Sequence, residues 1–198
     1  MRGALDERWR PVVTILAGSG LRIGELLGLA PVDVSTTFRT IRVERQRLQS
    51  GALSELPKTK RSRRTVPVGD VVVAELEEQA ERSTPVALCT DELGEPLTYR
   101  RWKRLLSDAA SAAGVDLTSH SLRHFAASAL IPGGASVKQV QMFLGHSSPT
   151  ITLRTYAHMF PGDEDRTRDV LDTALSPLAD SLRTGATPET LRRRSGGV

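Results

Sequence analysis

The chain has 198 residues and a mass of 21.5 kDa, enough for one domain or a domain with a tail. Its composition, 39% hydrophobic and 25% charged with a net charge of +4, fits a globular chain and excludes an intrinsically disordered one. No apolar run approaches the roughly 18 residues of a membrane span, the first eight residues carry no apolar stretch, so no secretory leader is expected, and the single cysteine, Cys89, excludes a disulfide framework and a cysteine-rich zinc site, so a reducing, cytoplasmic location is expected.

In chain order, Leu5, Trp9, Val12, Val13 and Leu16 recur at helical spacing over 5–18. Ser19-Gly20 breaks that helix, a short second one runs from Arg22 to about Leu29, and Pro31 closes it. Residues 39–48 alternate basic and apolar, which predicts a strand. Further strands are predicted through 53–58 and 65–68. Helices are predicted over 70–82 with Asp70 as cap, 98–113 opened by Thr98, about 119–130 capped by Ser119, 136–145 capped by Ser136, 149–159 and 163–181. The fold class is therefore mixed α+β, mainly α-helical, with a small antiparallel sheet of two or three strands near residues 39–68. Residues 182–198 have little to bury and are expected to form a flexible tail.

Charge is unevenly placed. Residues 39–64 hold nine basic side chains against two acidic ones, and residues 161–180 hold six acidic against two basic. A dense basic block is a solvated face or a polyanion footprint.

Several polar residues stand out on otherwise apolar helices. Arg22 opens its helix and Glu25 lies one turn on, within reach of an ion pair. His120 and Arg123 share a helix face near a helix start, where backbone N–H groups favour an anion. His124 is four residues from His120, a spacing that also suits two metal ligands, although no acidic or thiol partner lies nearby. His146 follows Leu144-Gly145 at a predicted helix end, and Tyr156 lies in the next short helix.

These residues and their contexts resemble the tyrosine recombinase family, also called phage integrases. The strings that carry the resemblance are SGLRIGELLGL at 19–29, PKTKRSRRTVPV at 57–68, HSLRHFAAS at 120–128 and LGHSSPTITLRTYAH at 144–158. The resemblance implies that Arg22 and Arg123 bind the phosphate, that His120 and His146 are the family's two histidines, and that Tyr156 is the nucleophile. Lys58, with Lys60 competing, matches the lysine of the strand turn, and Glu25 matches an acidic residue that buttresses the site. It further implies site-specific DNA recombination through a 3′-phosphotyrosine, serving integration or excision of a mobile element, without metal, ATP or other cofactor.

The chemistry is consistent with those roles. Two arginines can clamp a phosphodiester's non-bridging oxygens. A phenol of pKa about 10 needs help to lose its proton, which His120 or His146 could accept. Lys58 could protonate the leaving 5′ oxygen. Arg42, Arg45, Arg47, Lys60, Arg61, Arg63 and Arg64 are expected to contact DNA phosphates. Arg100, Arg101, Lys103 and Arg104 form either a second contact or a solvated face. Double-stranded DNA is the expected partner, with a tetramer on DNA for a full-length enzyme and a monomer in solution.

The resemblance covers a catalytic domain at 1–181. The family's N-terminal DNA-binding domain is expected to be absent, since Met1 precedes Arg22 by a single helix. An alternative is therefore a catalytically incompetent DNA-binding remnant of an integrase. A metal-dependent nuclease built on His120, His124, His146 and His158 is a third reading, but it has no use for the two arginines, lysine and tyrosine. Residues 163–181 are either a helix that docks on a neighbouring subunit or one that closes its own domain.

Overall fold

The computed structural model describes residues 5–56, 63–160 and 164–184. A 3-10 turn (Glu7–Trp9) leads into α1 (Arg10–Ser19) and α2 (Ile23–Leu27). Five short strands follow: β1 (Val34–Ser35), β2 (Thr40–Val43), β3 (Arg45–Arg47), β4 (Leu53–Glu55) and β5 (Arg64–Pro67). The remaining helices are α3 (Asp70–Glu81), α4 (Tyr99–Ala112), α5 (Ser119–Leu130), α6 (Val137–Leu144), α7 (Pro149–Tyr156) and α8 (Glu164–Thr184).

Mainly helical with small antiparallel sheets, the fold agrees with the class read from the sequence, but the strands divide differently. The single strand predicted over 39–48 is two strands in two sheets. β2 lies between β1 and β5, with Ile41 opposite Val66. In β2, Ile41 and Val43 are buried and Arg42 is exposed, as alternation requires. After Glu44 the chain leaves this sheet, and β3 pairs with β4 instead. The reason lies in α2. Gly24 and Gly28 have no side chain, and β3 runs directly over them; a Cβ at either would come within 2.9 Å of the Arg47 carbonyl or the Gln46 Cα. Close packing on a helix backbone, rather than alternation along the strand, fixes β3.

Helix α1 is central, lying against α3 and α5. Its Val12, Ile15 and Leu16 join Trp9, Leu26, Ile41, Val66, Leu76, Leu88 and Trp102 in the main core. A second apolar cluster joins Ala127 and Ile131 to Val140 and Leu144 of α6, and to Tyr156 of α7. Phe143 packs against both clusters. Thr98 and Ser136 cap α4 and α6 as predicted. Two predicted caps shift by one residue. Thr118, not Ser119, caps α5 through reciprocal bonds with Ser121, and Gly69 precedes α3, leaving Asp70 as its first residue in an ion pair with Arg39.

Residues 161–198 form a separate unit. Within it α8 carries Leu171, Leu175 and Leu178 at spacings of four and three, all exposed. The helix extends to Thr184, past the boundary expected for the tail, and residues 185–198 lie outside the described residues.

Candidate active site

The site is built on a buried carboxylate. Glu25 lies in the first turn of α2, and its side chain is 2% exposed. It accepts the Arg22 backbone N–H at 2.9 Å and the Arg22 guanidinium at 3.0 Å. From across the fold, Arg64 of β5 donates to both carboxylate oxygens at 2.9 Å. Burial alone would raise the Glu25 pKa. The bonds and charge of Arg64, with those of Arg22, outweigh it and hold the pKa below the usual value. Arg64 also donates to the Phe143 carbonyl near the end of α6 at 3.1 Å. Glu25 therefore ties α2, β5 and α6 together and leaves Arg22 half exposed beside the pocket.

Arg123 is buried and spans two helix ends. It donates to the Gly20 carbonyl at 2.5 Å and to the Leu144 carbonyl at 2.6 Å. Helix C-terminal carbonyls lack helical partners and carry partial negative charge, so they suit a cation. Burial, then the nearby Arg22, push its pKa down to about 9, with Glu25 opposing. It stays charged at neutral pH.

Gly145 ends α6 in the left-handed conformation, at φ 67°. That turn aims its carbonyl at Arg22, 3.4 Å away, and starts the loop that carries His146. The His146 Nδ1 lies 2.9 Å from the Thr152 hydroxyl of α7. Burial, then Arg123, Arg22 and Arg64, lower its pKa to about 4, so the ring is neutral at pH 7.

Tyr156 ends α7, held in the second apolar cluster. Burial raises its pKa, and the Arg123 charge partly opposes this. Its hydroxyl is 2.6 Å from the Nδ1 of His124. His120 is exposed and meets His124 edge-on, with ring centroids 4.4 Å apart. A pocket of about 510 Å³ opens among these groups, lined by Arg22, Glu25, His120, Arg123, His124, His146 and Tyr156.

The structure thus brings together Arg22, Glu25, His120, Arg123, His146 and Tyr156 from four regions of the chain. Lys58, Lys60 and Arg61 lie outside the described residues. The sequence reading passed over His124 in this role. Its spacing from His120 suggested only a weak metal pair, and among the described residues no three His, Cys, Asp or Glu groups are placed to hold a metal. Only the packing of α7 on α5 sets it beside the tyrosine.

Most of the arginines expected on DNA are bonded within the chain. Arg64 is 7% exposed and committed to Glu25. Arg45 donates to the Gly28 carbonyl and to buried Asp33, and Arg47 to the carbonyls of Leu27 and Gly51. They satisfy carbonyls at the C-terminal end of α2, which a five-residue helix leaves open. Arg63 bonds Glu55 and the Leu56 carbonyl. These side chains brace the fold, Arg64 through all three of its nitrogens and Arg45 and Arg47 through two each. Arg42 remains half exposed, in looser pairs with Asp33 and Glu44. Arg100, Lys103 and Arg104 are exposed on α4 and pair with no described acidic residue.

A mainly helical domain with a small sheet, gathering two arginines, histidines and a tyrosine about one pocket, has the architecture of an integrase catalytic domain. Among solved structures, the chain superposes on the Tn1549 transposon integrase in complex with circular intermediate DNA with a TM-score of 0.72 at 24% identity, covering 85% of this chain and 60% of that one. Tyrosine recombinase XerD of Corynebacterium glutamicum is 34% identical over 164 residues, 78% of this chain and 49% of that protein. Tyrosine recombinase XerC of Corynebacterium efficiens is 34% identical over 154 residues, 75% of this chain and 45% of that protein. The profile of the phage integrase family matches residues 2–162, and the chain belongs to that family. It spans about half the length of the curated relatives it matches.

Proposed function

We propose that this chain cleaves and rejoins DNA strands in site-specific recombination, through a 3′-phosphotyrosine on Tyr156. The observation that carries the reading is the convergence of Arg22, Arg123, His146 and Tyr156 on one pocket. Half-exposed Arg22 and the buried, charged Arg123 are suited to clamp the non-bridging oxygens of the scissile phosphate and to stabilise the charge of the transition state. Glu25 and Arg64 hold Arg22 from behind. His146, kept neutral by burial and then by its cationic neighbours, donates or accepts a hydrogen bond at the phosphate, as does His120 from the pocket rim. The Tyr156 oxygen attacks phosphorus, the bond to the 5′ oxygen breaks, and Lys58, or Lys60, supplies the proton that oxygen needs. The phosphotyrosine keeps the energy of the broken bond, so rejoining needs neither ATP nor metal.

Double-stranded DNA is the partner. Arg100, Lys103 and Arg104 of α4, with Arg42, Lys60 and Arg61, supply the phosphate contacts. The Tn1549 transposon integrase, solved in complex with circular intermediate DNA, supports this reading. The exposed leucines of α8 support a further one, in which that helix docks on a neighbouring subunit of a DNA-bound tetramer while the free protein is monomeric.

The test is covalent trapping in EDTA. Nicked duplexes are incubated with wild type and Tyr156→Phe and run on a denaturing protein gel. A shifted, protease-sensitive band in wild type alone is expected. A band that survives in Tyr156→Phe, or that EDTA abolishes, would overturn the mechanism.

A further inference from the structure

The proposed function leaves open which group receives the tyrosine proton. Three imidazoles border the pocket, and they are not equivalent. His146 has its Nδ1 engaged by Thr152, and its lowered pKa of about 4 makes it a weak acceptor. His120 is exposed, and its ring meets His124 rather than the tyrosine. His124 alone places a ring nitrogen on the hydroxyl, at 2.6 Å.

The helix explains the placement. Consecutive α-helical residues point about 100° apart, so Arg123 turns inward to the carbonyls of Gly20 and Leu144 while His124 faces α7. Tyr156 lies beside it in a buried cluster with Ala127, Ile131, Val140 and Leu144. The second ring contact, between His124 and Tyr156 at 5.4 Å between centroids, adds to that packing.

We propose that His124 takes the proton from Tyr156 as the tyrosine oxygen bonds to phosphorus, with His120 as the positioning residue for its ring. This rests on the reading of Tyr156 as the nucleophile. For Nδ1 to accept, Nε2 carries the ring proton, a tautomer assigned from the pairing. In the forward step the phenol O–H bond breaks and the proton moves to Nδ1. The oxygen–phosphorus bond forms, and the phosphorus bond to the 5′ oxygen breaks. That oxygen takes its proton from the acid assigned to Lys58 or Lys60. In rejoining, the 5′ hydroxyl gives its proton back to that lysine as its oxygen bonds to phosphorus, the bond from phosphorus to the tyrosine oxygen breaks, and the His124 imidazolium returns its proton to the tyrosine. No electron leaves or enters.

The charged surroundings suit the role. Burial, then His120 and Arg123, lower the His124 pKa below its usual value, so the ring is neutral and able to accept at pH 7. Tyr156, whose own pKa is raised by burial, needs such an acceptor.

The experiment compares wild type, His124→Ala, His124→Asn and His120→Asn, each checked for folding by circular dichroism. Asparagine can present an oxygen near the Nδ1 position but cannot take up the proton. The first arm measures phosphotyrosine formation on a nicked duplex, with Tyr156→Phe as control. Loss of a general base costs roughly 100-fold or more, so that loss is expected in both His124 variants, with partial rescue of His124→Ala by added imidazole. A His124→Asn rate equal to wild type overturns the base role, as does loss confined to His120→Asn. The second arm uses no DNA. The proteins are treated with methanesulfonyl fluoride, and labelling of Tyr156 is compared with that of Tyr99, the other tyrosine, by peptide mass spectrometry. Labelling of Tyr156 that needs His124 supports proton transfer within the pair; if no DNA adduct forms in any of the proteins, the reading of Tyr156 as nucleophile fails and the step at phosphorus fails with it, leaving only the His124–Tyr156 acid–base pair. Labelling that is absent or indifferent to His124 overturns the inference whatever the DNA arm shows.

Discussion

Arg64→Met removes the partner that holds both oxygens of Glu25. The carboxylate is 2% exposed and Arg64 is 7% exposed, so water cannot replace the lost bonds without opening the site. Arg22, itself half exposed, is the remaining counter-charge. Leaving a charge buried and poorly paired costs about 3–5 kcal/mol. At roughly 2–4 °C per kcal/mol for a domain of this size, the melting temperature falls by roughly 6–20 °C. The pH dependence gives the sign. The folded Glu25 pKa lies below the 4.5 of an unperturbed carboxyl. Its contribution is therefore fully present above that value and is lost as pH falls through the depressed folded pKa. Urea denaturation of wild type and Arg64→Met at pH 7 and at pH 3 measures this. The gap between them should be wider at pH 7 than at pH 3. Replacing both partners, Glu25→Leu with Arg64→Met, should recover much of the stability while abolishing covalent adduct formation, since Arg22 is then no longer held. A loss below about 1 kcal/mol for Arg64→Met at pH 7, or a gap that does not change with pH, would refute the argument that this buried pair braces the site.

Further expectations follow from the same geometry. Gly145→Ala puts a Cβ 2.8 Å from the Arg64 guanidinium at a φ of 67°; left-handed strain alone costs about 1–2 kcal/mol, and both the urea midpoint and adduct formation should fall. The His146 ring should stay neutral to about pH 4 in a histidine nitrogen NMR titration of the free protein, and a bound phosphodiester should raise that midpoint by offsetting Arg123 and Arg22. A free-protein midpoint near 6.5 contradicts the electrostatic account. Because the unfolded chain protonates this histidine first, His146 makes stability fall as pH drops from about 6.5 toward 4. Arg45→Met should cost about 1–3 kcal/mol of stability through its lost bonds to Gly28 and Asp33, with the salt dependence of DNA binding unchanged. Arg104→Ala on exposed α4 should do the reverse, leaving stability within about 0.5 kcal/mol and reducing the salt slope by about one; filter binding across a salt series separates the two.

The parts of the site legible in the sequence are those whose partners are close along the chain. Arg22 and Glu25 are one helical turn apart, and their bond follows from that spacing. His120 and Arg123 share a helix for the same reason, and Gly145 announces the left-handed turn that presents His146. The helices were visible because apolar periodicity and capping residues are local, which is also why cap positions erred by only one residue. The strands were less legible. Alternation over 39–48 carries no sign that Gly24 and Gly28 would draw β3 onto α2 and split the sheet. Three assignments waited on the tertiary structure. Arg64 reaches Glu25 across 39 residues, Arg45 reaches Gly28 across 17, and His124 meets Tyr156 across 32. In the sequence an arginine that braces a buried carboxylate and one that waits for a phosphate look the same. What separates them is the set of partners around each guanidinium and whether it borders the pocket, and both are fixed only when distant elements pack.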